Sequence, residues 1–145
     1  FKQEQAVVRL VEFVVQFITQ VEGTDSAQQE DLINAICLRL LKLGCAKDKA
    51  IRYRVTQLVG RIMNSMPEEA EVSDELFSTV EVVMVQRCRD KIPVVRACAI
   101  RALFRLQDPV QRSDPITAEL LRLMAQDPSK EVRMAAITTI APSKH

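Results

Sequence analysis

Tryptophan is absent from these 145 residues, tyrosine and histidine occur once each, and glycine occurs three times. Aromatics make up 4% of the chain, although 48% of it is apolar. Sandwiches and barrels use aromatic residues in their strands and glycine in their tight turns, so this scarcity argues against them and for helix. Charge of one dominant sign is missing too: twenty Lys and Arg against nineteen Asp and Glu leave a net charge of +1. On that figure alone the chain is neither a strongly basic nucleic-acid binder nor an acidic disordered tail.

No apolar run approaches the ~20 residues that span a bilayer, and no basic start leads into an apolar stretch, so a soluble chain with no membrane partner is expected. The cysteines, Cys37, Cys45, Cys88 and Cys98, are spaced by 8, 43 and 10 residues. None forms the close pair of a zinc or redox motif, and reduced thiols in the cytosol or nucleus are expected. The chain begins at Phe1 inside a stretch, Phe1 to Gln20, that already reads as helix, which suggests a fragment.

What is present is helical periodicity. Val7, Leu10, Val11, Val14, Phe17, Ile18 and Val21 form one stripe, and Ile33, Ile36, Cys37, Leu40 and Leu41 a second. Ile51 through Met66, Leu76 through Cys88, Val95 through Leu106, Ile116 through Met124 and Val132 through Ile140 continue the three-then-four step, giving seven predicted helices. The punctuation agrees. Ser26 with Gln29 has capping-box spacing, Ser73 can cap the fourth helix, and Asp114-Pro115 and Asp127-Pro128 place an acceptor before a first-turn proline. Gly44, Asn64-Ser65 with Pro67, and Gln107-Asp108-Pro109 mark stops, glycine through a left-handed cap and proline by interrupting the hydrogen-bond ladder.

The pattern repeats. Asp90 is followed at five, six and nine residues by Val95, Arg96 and Ala99, and Asp127 by Val132, Arg133 and Ala136. Asp48 leads a looser copy with Tyr53, Arg54 and Gln57, so the three aspartates stand 42 and 37 residues apart. An Asp in the turn and an Arg on the following helix can form a charged ladder from one repeat to the next, and the small residue lets helices approach. This arrangement resembles the HEAT repeat along the whole chain. It predicts an all-α, right-handed solenoid over 1–145: helical hairpins at 26–66, 73–107 and 113–141 follow a leading helix, 1–21, that is the second half of a truncated repeat.

Two stretches go beyond the general repeat. Asp90-Lys91-Ile92-Pro93-Val94-Val95-Arg96, running on to Leu106-Gln107-Asp108-Pro109, and Ser129-Lys130-Glu131-Val132-Arg133, running on to Ile140-Ala141-Pro142-Ser143, resemble CAP-G, the HEAT-repeat subunit family of condensin. Ala50-Ile51-Arg52-Tyr53-Arg54-Val55 and Asn64-Ser65-Met66-Pro67 resemble early repeats of that family in the same order. The loop Glu22 to Gln29 is short where many members carry a longer acidic insertion. The resemblance implies the amino-terminal part of a long array that, with the kleisin subunit CAP-H, holds double-stranded DNA during mitotic chromosome condensation. It further implies indirect partnership with the SMC subunits, which carry the ATPase, and residence in the nucleus and on chromosomes, with the cytoplasm for part of the cell cycle. The sequence independently contains no Gly-rich phosphate loop, no nucleophile paired with a usable His, and no metal-ligand cluster, so neither an enzyme nor a cofactor nor a small-molecule substrate is expected.

The residues themselves show uneven charge. Arg39 to Arg61 carries seven basic residues against Asp48, and Arg87 to Arg105 carries six against Asp90. Glu22 to Asp31 carries four acids and Glu68 to Glu81 six, neither with a base. Corresponding parts of successive solenoid repeats stack, which would set Lys47, Lys49 and Arg52 beside Arg89 and Lys91, with Arg87 near them and Lys130 extending the row. Such a stripe suits phosphate contacts without base readout. Arg54 joins these as a secondary DNA candidate. For Arg54, Arg96 and Arg133 the structural alternative is a ladder pair with their own aspartate or the next repeat's acid; for the others it is a solvated turn. Arg101 and Arg105 could face either a groove or solvent. Cys37, Cys88 and Cys98 read as core, Cys45 as an exposed turn residue, Met63, Met66, Met84 and Met124 as packing, Tyr53 as core with an edge hydrogen bond, and His145 as a terminal residue without a catalytic role. The rival function is a HEAT scaffold for a peptide or protein, importin-like or phosphatase-scaffold-like, that never touches DNA.

Overall fold

The computed structural model describes residues 4–20, 23, 25–108, 110–111 and 113–140. Expectations resting on Phe1, Val21, Glu22, Pro109 and His145 lie outside these residues. Seven α-helices occur among the described residues: α1 Gln5–Thr19, α2 Ser26–Leu41, α3 Lys49–Ser65, α4 Asp74–Arg87, α5 Pro93–Ala102, α6 Pro115–Gln126 and α7 Lys130–Thr139, with a short 3-10 turn at Phe104–Leu106. No strand is found among them.

Local chemistry sets most of these boundaries. The Asp48 carboxylate accepts from the Ala50 and Ile51 amides at the head of α3, and Ser73 Oγ accepts from Leu76 N at the head of α4. Asp114 accepts from Ile116 and Thr117 N, with Pro115 at the first position of α6. Two expected starts differ. Ser26 lies inside α2, Asp25 precedes it without a side-chain cap, and Gln29 reaches back to the Ile18 carbonyl instead of closing a capping box. Asp127 closes α6, while α7 starts at Lys130 after Ser129.

The helices form two layers. α1, α3, α5 and α7 pack in succession in one, and α2, α4 and α6 form the other, each hairpin contributing one helix to each layer. Between them runs one apolar core through Ile33, Cys37, Val59, Ile62, Leu76, Val80, Met84, Ile100, Leu103, Leu120 and Val132. Met63 and Met66 belong to it, and Met124 packs against it. Small residues set the spacing within the first layer: a Cβ added at Gly60 would lie 2.8 Å from Ala102 Cβ and 3.2 Å from its Cα, so α3 and α5 meet backbone to backbone. Gly44 is not a left-handed cap. A Cβ there would come 2.7 Å from Val83 Cγ1, so the residue is needed for the close approach of α4. This is an all-α solenoid of stacked hairpins, and no helix among the described residues is long and apolar enough to cross a membrane.

Candidate nucleic-acid interface

Hairpin connectivity sorts the linkers onto two edges. The α2–α3, α4–α5 and α6–α7 turns meet on one, joined by Cys45 Sγ to Gln86 Oε1 at 3.1 Å, Arg52 to Asp90, and Arg96 to Asp127. The α3–α4 loop lies on the other, where Glu71 N donates to Glu30 Oε1 and Ser73 N and Oγ donate to Asn34 Oδ1. Lys47, Arg52, Arg87, Arg89 and Lys91 therefore gather at the turn edge, whereas Glu30 and Glu71 meet at the loop edge.

A ladder of arginines ties the turns together. Arg52 meets Asp90 fork to fork, Nε–Oδ2 2.7 Å and Nη2–Oδ1 3.1 Å, and Arg96 meets Asp127 likewise, both distances 2.8 Å. The remaining Nη1 of each arginine caps its own turn: Arg52 on the Ala46 and Lys47 carbonyls, Arg96 on Asp90 and Lys91, and Arg133 on Asp127 and Pro128. This shared bonding makes Arg52, not Arg54, the equivalent of Arg96 and Arg133, and puts Ala46 where the later turns have aspartate. The expected first register is thus two residues out. Asp48 misled because it also forms an Asp-initiated turn, but one that caps α3 directly. Arg54 bonds Gln57 Oε1 at 2.9 Å, with its guanidinium 5.2 Å from the centre of the buried Tyr53 ring.

The other candidates fall into two groups. Arg87 pairs with Asp90 at 2.9 Å, and Arg89 pairs with Glu119 at 3.2 and 3.3 Å while its side chain stays 67% exposed. Lys47, Lys49, Lys91 and Lys130 are exposed and make no ion pair with a described residue. Lys47, Arg52, Arg87, Arg89 and Lys91 line one cleft of about 410 Å³ with Cys45, Ala46 and Asp90. Lys49 and Lys130 open α3 and α7, and Arg54 is not part of the cleft lining.

Asp90, Asp127 and Glu119 are buried and matched by arginines. Burial alone would raise the pKa of Asp90 and of Asp127, but the guanidinium of Arg52 or Arg96 and a backbone N–H outweigh it and hold each below its ordinary value. Glu119, which sequence reasoning did not single out, is held at about 2 by Arg122, against the opposing effect of burial and with help from Arg89. Its spacing to Arg122 was a weak signal; nothing in the sequence joins it to Arg89, 30 residues away. Arg105 donates to the carbonyls of Met63, Met66 and Pro67 and secures the loop edge. Arg101, with Arg61, borders a separate cleft of about 270 Å³ between α3 and α5. Cys37 and Cys88 are buried with thiols pushed up to about 12, Cys45 is exposed, and Cys98 is partly exposed in the α3–α5 cleft rather than fully in the core. Among the described residues no group of His, Cys, Asp and Glu is arranged to hold a metal.

No family model matches the chain. Human condensin complex subunit 3 is 39% identical to it over 148 residues, which cover 99% of this chain and 15% of the relative. The Xenopus laevis protein of the same name is 34% identical over 149 residues, covering 99% and 14%. The fission yeast protein is 32% identical over 136 residues, covering 93% and 15%. The crystal structure of the S. pombe condensin Cnd3-Cnd2 subcomplex matches with a TM-score of 0.84 and 31% identity, over 99% of this chain and 18% of that chain. The chain thus spans about a seventh of the length of the curated relatives, and over nearly all its residues it is similar, in sequence and in fold, to a stretch of condensin complex subunit 3.

Proposed function

We propose that the chain is a segment of a CAP-G-type condensin subunit, a non-enzymatic HEAT scaffold that binds double-stranded DNA through its turn edge together with the kleisin. One observation carries this reading: the turn edge ties Asp90 and Asp127 into buried arginine pairs and leaves Lys47, Lys49, Lys91 and Lys130 exposed. Contacts would go to phosphate, because no recognition helix or exposed aromatic platform lies on this edge among the described residues, and affinity would be independent of base sequence. Lys49 and Lys130 add weight. A cation at the first residue of a helix opposes the macrodipole, a cost of roughly 0.3–1 kcal/mol that a bound phosphate would offset. Action on chromosomes in the nucleus, and kinship with the SMC subunits through the complex, follow from the same reading.

A second reading, a protein-binding scaffold without DNA contact, is favoured by the exposed Leu10, Phe13 and Phe17 on α1. Duplex binding measured against ionic strength, with and without the kleisin segment, separates the two. The DNA reading expects salt-sensitive binding strengthened by the kleisin segment, and no binding in either case overturns it.

A further inference from the structure

The cleft of about 270 Å³ between α3 and α5 shares no lining residue with the turn-edge cleft. That volume falls below the roughly 300–1,000 Å³ of small-molecule pockets and suits a single side chain. Its floor is apolar, because Gly60 and Ala102 bring the two helices together with almost no side chain between them. Its rim carries Arg61 and Arg101, one from each of two successive hairpins.

Elsewhere in the stack Arg52, Arg96 and Arg105 commit their guanidinium groups to oxygen acceptors of neighbouring repeats. Arg61 and Arg101 do not. Among the described residues Arg61 meets only the Glu12 carboxylate, at 3.9 Å and beyond hydrogen-bond reach. Arg101 is exposed, touches the Cys98 thiol and forms no ion pair with a described residue. Two guanidinium groups on one cleft repel each other unless an anion lies between them, and a carboxylate is the planar partner that their forks match. Beside them Asn64 Nδ2 donates to the Arg101 carbonyl at 3.0 Å, which leaves its Oδ1 and second N–H as an acceptor and donor pair, the complement of a peptide group. Glu12 and Glu131 flank the cleft, Glu131 near enough to act on the Cys98 thiol. They disfavour a polyanion, whose neighbouring charges would meet them, and tolerate a lone carboxylate.

We propose that the α3–α5 cleft binds an acidic side chain of a peptide laid across it, with the carboxylate between Arg61 and Arg101 and the main chain on Asn64. The site is separate from the turn edge and stands whether or not that edge binds DNA. Cys98 lines the cleft and is partly exposed, so an occupant shields its thiol.

The test is the rate of Cys98 alkylation by iodoacetamide, resolved by site with mass spectrometry and compared with ligand-free buffer of equal ionic strength. The probes are a blocked peptide holding one glutamate among glycines, its glutamine counterpart, inorganic phosphate and a short duplex. At about four times its dissociation constant the glutamate peptide slows Cys98 about fivefold and leaves Cys45, on the turn edge, unchanged. Arg101→Gln, at an exposed side chain, abolishes the protection, and Arg61→Gln does the same; Lys42→Gln, outside the cleft, retains it. Equal protection by the glutamine peptide, undiminished protection in both arginine variants, or no protection by any probe overturns the site. Stronger protection by phosphate or duplex than by the glutamate peptide overturns it too, and makes the cleft a phosphate contact.

Discussion

Arg52 and Asp90 stand 38 residues apart and close a two-bond fork between successive hairpins, Nε–Oδ2 2.7 Å and Nη2–Oδ1 3.1 Å, with side chains only 13% and 2% exposed. Arg87 joins from the other side, so one carboxylate fastens two arginines to the turn edge.

Asp90→Ala should therefore cost about 3–5 kcal/mol, because breaking a buried pair leaves uncompensated charge behind. Urea denaturation reads the loss. A drop of less than about 1 kcal/mol, the scale of an exposed pair, would mean that solvent replaces the carboxylate and that the ladder is ornamental to stability.

Gly60→Ala tests the packing of α3 on α5. The new methyl meets the Ala102 backbone region rather than a flexible side-chain end, so the helices must separate, at about 1–3 kcal/mol. The thermal midpoint should fall, and pairing the change with Ala102→Gly should recover part of it.

Acid should weaken the stack through Glu119. Its folded-state pKa, about 2, lies below the ordinary 4.5. The stability it contributes is present above 4.5 and is lost as pH falls from there towards 2. Asp90 and Asp127, also held low, act in the same direction. Denaturant midpoints measured across this window should decline on acidification, and Glu119→Gln should flatten part of the decline; an unaltered profile would contradict the Arg89–Glu119–Arg122 arrangement.

For duplex binding, Lys49→Glu with Lys91→Glu, with the kleisin segment present, should weaken affinity alike for unrelated sequences. It should also reduce the salt slope by about one unit for each phosphate that is no longer neutralised. Sequence-selective weakening would point to base contacts that the edge is not built to make.

Thiol reactivity follows burial. In the folded chain, Cys45 and Cys98 should react with a small disulfide reagent, while Cys37 and Cys88, fully buried with raised pKa values, should wait for unfolding. Prompt reaction of all the thiols would show that the core opens readily.

Helices and hairpins were legible in the sequence because each needs only local information: apolar residues at three-then-four spacing, and Asp, Ser or Pro at the starts. The gathering of Lys47, Arg52, Arg89 and Lys91 at one edge was legible for a related reason, since alternate linkers of stacked hairpins must fall on opposite sides, whereas Arg105, at the end of the same basic run, went to the other. The ladder was legible in kind but not in register. Asp48 and Asp90 look alike in a string of letters, and only the reach of Arg52 Nη1 to the Ala46 carbonyl reveals that Ala46 occupies the aspartate's place. Arg54 was a fair candidate until Tyr53 and Gln57 claimed it. The Arg89–Glu119 pair carries no periodic signature, because it joins a turn to the side of the next repeat's helix.

Lys47, Lys91 and Lys130 stand exposed on one edge while Glu30 and Glu71 meet at the other, so a chain of net charge +1 presents an uneven field. Near a polyanion such a body experiences a torque before any contact forms, turning Lys47, Lys91 and Lys130 towards the charge and Glu30 and Glu71 away. Orientation, which ordinarily limits the association of two specific surfaces, is then partly settled during approach. Salt should accordingly slow encounter far more than the net charge would suggest, because ions screen the local field of each edge rather than the sum of the two.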